Sequence, residues 1–247
     1  PSIMLSEKEA EKQILQILPQ ESEVTGIFFD ACFSEVLIEC KNPGVAVGKK
    51  GVILNEIRDK IGWLVEIKRT PPLESKTVHD VRGYRSAHSE ERRKILKEIG
   101  LNIFRPQRAG MNWVRLTALG SYREVGRACH YITTNESRIM IDVGVNIASD
   151  TDPMPFFNAP EALPLEKLDA IILTHSHLDH AGMLPVLFKY GYKGPVYCTP
   201  PTRDMMLLLQ SDYLKVTSSE GKRPPYEMEH VREAMKHVID VDWGVTP

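Results

Sequence analysis

The sequence predicts a chain of two parts of mixed α/β and α+β class: a module over 1–75 and a second domain over 111–247, joined by a basic helical linker over 76–110. Three observations carry this. The order helix, strand, strand, short helix, glycine loop, helix, strand fits within residues 6–69. Beyond residue 111, β-rich runs pass into strands alternating with helices, the pattern of an α/β layer. Residues 41–110 hold 16 Lys+Arg against 8 Asp+Glu, so subtraction from the totals of 31 and 33 leaves 15 against 25 elsewhere. A basic segment in acidic surroundings suits a polyanion-binding module, although a solvated charged helix would show the same balance.

Each element follows from local pattern. Residues 6–18 place Ile14, Leu15 and Leu18 behind a charged start, with Ser6 as N-cap. Val24–Phe33 and Glu35–Cys40 read as an antiparallel hairpin. Lys41-Asn42-Pro43-Gly44 is a turn, Gly48-Lys49-Lys50-Gly51 a basic glycine loop, and Val52–Ile61 a helix with Ile53, Ile57 and Ile61 on one face. The strand Trp63–Arg69 ends at Thr70-Pro71-Pro72. A charged helix is expected around Ser89–Ile99, then a linker at Arg105–Gly110.

In the second domain, Trp113–Leu119, Ala128–Thr133 and Ser137–Val143 read as strands, and 150–165 as a proline-rich loop. Leu168–Leu173 is an apolar run, Met183–Tyr190 a helix, Val196–Cys198 a strand, and Thr202–Val216 and Tyr226–Val238 further helices.

Composition excludes several classes. With 42% hydrophobic and 26% charged residues among 247, the chain has material for a core and is not a disordered polymer. No apolar run reaches the roughly 20 residues that span a bilayer, and the opening lacks signal-peptide order, so a cytoplasmic protein without membrane contact is expected. Cys32, Cys40, Cys129 and Cys198 form no C-x-x-C pair; they are expected to be reduced and mostly buried, with neither a zinc ribbon nor a disulfide framework.

The most informative cluster is His175-Ser176-His177-Leu178-Asp179-His180, which follows the apolar strand Ala170–Leu173. Imidazole and carboxylate suit a borderline divalent ion such as zinc. His175 and His177, spaced i, i+2 at a strand end, point to one side and can share an ion. The tight Asp179-His180 pair then turns towards a second ion. A chance His-rich turn or a single structural zinc is the alternative, but a structural site would more commonly use thiolates.

The run Thr174-His175-Ser176-His177-Leu178-Asp179-His180-Ala181-Gly182 after a hydrophobic strand resembles the signature of the metallo-β-lactamase superfamily. That resemblance implies an αββα sandwich. It also implies that Asp142, in Ile141-Asp142-Val143-Gly144, steadies the histidine loop by fixing tautomer and orientation. Without it, Asp142 reads as a turn residue.

Gly48, Lys49, Lys50 and Gly51 could let a nucleic-acid backbone approach while the lysines meet phosphates; alone, the tetrapeptide is as readily an ordinary turn. The element order around it resembles the KH domain that runs αββααβ. A KH-like module before a metallo-β-lactamase domain resembles the archaeal relatives of the cleavage and polyadenylation specificity factor nuclease. Gly44–Gly51, Arg69–Pro72, Thr117–Gly120, Lys189–Tyr192, Gly194–Tyr197 and Pro201–Asp204 carry the likeness. It implies RNA as substrate and phosphodiester hydrolysis in 3′-end cleavage and transcription termination, with the transcription machinery as a partner. It also implies two zinc ions, held by His175 and His177 and by Asp179 and His180. Zinc of this kind acidifies a water to a pKa of about 7, and Asp179 is the residue expected to orient or deprotonate it.

The sequence departs from that family where later ligands are needed. His230 and His237 lie in a charged helical stretch, expected to be a solvated face. With Pro1 at its start and Pro247 at its end, the chain looks like a fragment, which leaves its own activity open. A homodimer is implied only through regions beyond it. A noncatalytic RNA-binding scaffold and a small-molecule hydrolase of the same fold are the competing readings. The intact histidine cluster argues against the first and the basic glycine loop against the second. No G-x-S-x-G elbow supports a serine hydrolase.

Overall fold

The computed structural model describes residues 4–106, 110, 112–149 and 151–244. The chain divides into two compact units, 1–90 and 91–247.

In the first unit α1 (Glu7–Ile17) begins at Ser6, whose hydroxyl accepts the Glu9 N–H at 3.4 Å while the Glu9 carboxylate accepts the Ser6 N–H at 3.3 Å, a capping box. Then follow β1 (Val24–Asp30), β2 (Glu35–Cys40), α2 (Pro43–Val47), α3 (Val52–Ile61) and β3 (Leu64–Arg69). The sheet order is β1-β2-β3, with β1 antiparallel and β3 parallel to the central β2. Alternate β2 residues Val36, Ile38 and Cys40 pack with Ala10 and Ile14 of α1, Ile57 and Ile61 of α3, and Trp63.

The segment expected as a linker is two helices. Helix α4 (Lys76–Ala87) belongs to the first unit: Arg82 reaches Glu39 at 2.9 Å and lies over the Phe28 ring, and buried Arg85 meets Asp30 at 3.6 Å. Arginines that pair with carboxylates of the sheet hold a helix against it, which a charge count cannot distinguish from solvation. Helix α5 (Ser89–Ile103) spans the division point. Of the expected linker 105–110, residues 107–109 lie outside the described residues, while Arg105 pairs with Asp169 at 2.7 Å and donates to the Glu136 carbonyl.

The second unit contains a six-stranded sheet in sequence order: β4 (Val114–Gly120), β5 (Cys129–Thr134), β6 (Arg138–Ile141), β7 (Ala170–Ile172), β8 (Val196–Cys198) and β9 (Val238–Asp240). The first three strands are antiparallel neighbours; β6 to β9 run parallel. Helices α6 (Leu178–Ala181) and α7 (Leu184–Lys189) separate β7 from β8, and α8 (Pro200–Ser219) and α9 (Met228–Lys236) separate β8 from β9.

The row Tyr131, Met140, Ile171, Val196, Val238 crosses the sheet in register and is buried. On the opposite face Leu116 and Ile172 are exposed. The stretch read as one helix to Val238 is α9 plus β9. His237 caps α9, is 4% exposed, and lies 3.0 Å through Nδ1 from the Gly194 carbonyl, so the solvated face expected for it is wrong. The helix ends two residues early because Val238 is taken into the sheet beside Val196. His230 stays near the surface, accepting the Glu227 N–H on Nδ1.

Cys40, Cys129 and Cys198 are buried and Cys32 is half-buried. No described helix is long and apolar enough to cross a membrane.

Candidate metal centre

The histidine cluster leaves the carboxyl end of β7, where open α/β sheets collect ligands. Asp142 stands at the carboxyl end of the adjacent β6, its backbone N–H on the Ile172 carbonyl at 2.9 Å. Its φ of 61° is left-handed, a conformation that Asp tolerates better than most residues. Buried Asp142 accepts three groups: the Thr174 N–H at 2.8 Å, the Thr174 hydroxyl at 2.8 and 3.0 Å, and His180 Nδ1 at 2.8 Å. A buried carboxylate without such donors would be costly, so it orders both residues around itself.

This anchoring decides which nitrogens face outward. His180 donates from Nδ1 and keeps Nε2 as an acceptor, 3.6 Å from Asp179 Oδ2. The Thr174 hydroxyl hydrogen goes to Asp142, so its oxygen accepts from His175 Nδ1 at 3.0 Å and the His175 Nε2 lone pair remains. Burial, and then the neighbouring His180 and His177, hold the His175 imidazole below the usual histidine range, favouring its neutral form.

Helix α6 is tied down through its carbonyls. Leu178, Asp179 and His180 accept the N–H groups of Val145, Ala128 and Val143 at 2.9, 2.8 and 2.6 Å. Gly144 makes this approach feasible: a Cβ there would stand 1.7 Å from the Asp179 carbonyl oxygen.

His175, Asp179 and His180 each offer a ligand atom, and the three lie within 4.8 Å of one another. Two imidazoles anchored through Nδ1 with Nε2 left free, and one carboxylate, fit a divalent ion of the zinc type. His177, the N-cap of α6, is exposed; its ring is 4.8 Å from that of His175 but outside the group of three. The expected pairing of His175 with His177 and Asp179 with His180 thus differs from the grouping here, because the α6 turn brings Asp179 and His180 back beside His175.

Burial, with Asp142 second, pushes the Cys129 thiol far above its usual range, so it offers no thiolate ligand. The role of Thr174 was missed, although its position directly before the first histidine made it readable. A cavity of about 460 Å³ adjoins the group, lined by His177 and Asp179 and by Val125, Ile147 and Leu209 among others. Those three are too far apart in sequence to be read together.

The Gly48–Gly51 loop lies in the first unit. Gly48, Lys50 and Gly51 take φ of 74°, 56° and 77°, Lys49 and Lys50 are exposed, and Gly51 caps the N-terminus of α3.

Residues 122–239 match the family described as the metallo-β-lactamase superfamily, a class that implies a divalent ion. The chain as a whole is a homologue of archaeal transcription termination factors. It is 46% identical over 243 residues to "Transcription termination factor FttA" of Methanosarcina mazei, covering 98% of this chain and 38% of that protein. It is 46% identical over 251 residues to the protein of the same name from Pyrococcus abyssi, covering 99% and 39%. The chain thus spans about two fifths of the length of these relatives. Among solved structures, Rm3 metallo-β-lactamase overlays on 36% of this chain and 30% of its own, with 22% identity and a TM-score of 0.27.

Proposed function

We propose that the chain is the RNA-binding and metal-holding part of a zinc-dependent ribonuclease that hydrolyses phosphodiester bonds in transcript 3′-end processing and termination. The observation that carries this reading is the convergence of His175, Asp179 and His180 with the Asp142 anchor behind them. The homology to proteins named as termination factors supports the cellular role and, with it, RNA and the transcription machinery as partners.

His175, His177, Asp179 and His180 would hold zinc, two ions in the complete enzyme. Bound zinc supplies an acidified water and offsets charge in the phosphodiester transition state. Asp142 keeps His180 in the tautomer that presents Nε2, and Thr174 does the same for His175. The Asp179 carboxylate orients the attacking water and accepts its proton. In the first unit, the αββααβ order supports a KH-like module in which the Gly48–Gly51 loop takes the RNA backbone, Lys49 and Lys50 meeting phosphates and the α3 N-terminus adding its dipole. On this reading 1–75 is the RNA module, 76–110 the connection and 111–247 the amino-terminal part of the nuclease domain.

Zinc content and cleavage of a labelled single-stranded RNA test this, on this chain and on one of the relatives' full length, each beside His177→Ala. About two zinc ions and cleavage in the long chain, both lost in the variant, are expected. A long chain that holds zinc and leaves RNA intact refutes the ribonuclease reading.

A further inference from the structure

The cavity beside the metal-binding group has walls of a different chemistry. His177 and Asp179 line part of it, and Val125, Val145, Ile147, Leu178 and Leu209 are prominent elsewhere. Among the described residues that line it there is no lysine or arginine to meet a phosphate. Its volume, about 460 Å³, lies within the range of pockets that take small organic groups. Val125 and Ile147 are 89% and 67% exposed, a cost in apolar hydration that lining a ligand site would offset.

The walls are held in shape. Residues 121–127 include three non-glycine residues with left-handed backbone, Ser121, Arg123 and Arg127, at φ of 67°, 63° and 43°. Such a loop persists only where its surroundings over-determine it, and Arg127 supplies the constraint. Its guanidinium reaches Glu124 at 2.7 and 3.1 Å, Asp152 Oδ2 at 2.5 Å, and the Asp152 and Met154 carbonyls at 3.1 and 3.2 Å. Gly126, at φ of 101°, is pressed against Asn146, where a Cβ would fall 2.9 Å from Asn146 Cα. The loop carrying Val125 and the segment carrying Ile147 thus form one braced wall.

We propose that this cavity is a nucleobase subsite: it takes one base of the bound RNA against Val125 and Ile147 while the adjoining phosphodiester faces the metal-binding group. This deepens the ribonuclease reading and rests on it. A ligand that is planar and apolar on its faces but anionic along its backbone matches a site apolar in the cavity and metal-binding at its border. Asn146, which also lines the cavity, accepts the Ala148 N–H on Oδ1 at 3.1 Å, leaving its NH₂ as the side-chain donor to a base edge.

Val125→Ser and Ile147→Ser test the proposal, since both positions are exposed enough for the fold to accept a small polar residue. Each is measured for affinity to a short single-stranded RNA, to a ribose-phosphate oligomer of equal length without bases, and to zinc. Affinity for RNA is expected to fall about fivefold in each variant, with affinities for the baseless oligomer and for zinc unchanged. Equal losses for both oligomers, or none for either, overturn the base subsite and leave the ribonuclease reading standing. Failure of the unsubstituted chain to bind RNA at all removes that reading and the subsite with it.

Discussion

Asp142 and Gly144 show how much of the metal centre depends on residues that would touch no metal. Asp142 gathers three donors from two residues, and the most consequential is His180 Nδ1. Asp142→Asn keeps the shape but removes the charge and offers an amide hydrogen where an acceptor is needed. It is expected to weaken zinc binding about 10- to 100-fold, read by competition with a chromophoric chelator; unchanged affinity would refute the anchoring role. Gly144→Ala forces a methyl into the Asp179 carbonyl. About 3 kcal/mol of lost stability is expected, seen as a lower urea midpoint together with weaker zinc binding. A variant as stable as the parent would show that the contact yields. The ligands were legible because four fall within six positions, whereas Gly144 acts through a steric limit that spacing does not encode.

At the scale of elements, the Gly48–Gly51 loop joins α2 to α3 through three left-handed residues, which holds Lys49 and Lys50 out in solvent at the helix N-terminus. Lys49→Ala with Lys50→Ala is expected to weaken RNA binding and reduce the slope of log affinity against log salt by about 1.4, or 0.7 for each phosphate contact to a single strand. A titration of affinity from low to moderate salt measures it, and an unaltered slope would exclude the loop from the interface. The elements of the first unit were readable because each carries its own signal: the N-cap of α1, the β-rich runs of the hairpin, the period of α3. Helix α4 was merged into a linker because its contacts, Arg82 to Glu39 and Arg85 to Asp30, join residues far apart in the chain.

Across the whole molecule, the basic excess of 41–110 does not survive as a property of either unit. Residues 1–90 hold 12 Lys+Arg and 14 Asp+Glu, which leaves 19 and 19 in 91–247. Several of those cations are paired with carboxylates, so an RNA interface has to be argued from placement, as at Lys49 and Lys50, and not from net charge. Stability should also follow pH through His237. Burial holds this imidazole below its usual range, although Glu233 and the Gly194 carbonyl partly offset that. A base whose folded pKa is depressed binds fewer protons folded than unfolded, so its contribution is complete above about pH 6.5 and is lost as pH falls through the folded value. Urea midpoints should therefore drop between neutral and mildly acid pH, and His237→Gln should flatten that drop; an equal slope in the variant would assign the dependence elsewhere.

By itself the sequence determined most of the elements, though not α4 or β9, the α/β character of the second domain, and the candidate ligands His175, His177, Asp179 and His180, because periodicity, capping and close spacing are local. Only the tertiary structure decided that Asp142 holds His180, that His175 groups with Asp179 and His180 ahead of His177, that His237 is buried, and that Val125, Ile147 and Leu209 line one cavity. Each of these joins residues brought together by the register of the parallel strands and the path of the loops, and register is set by the packing of the whole sheet.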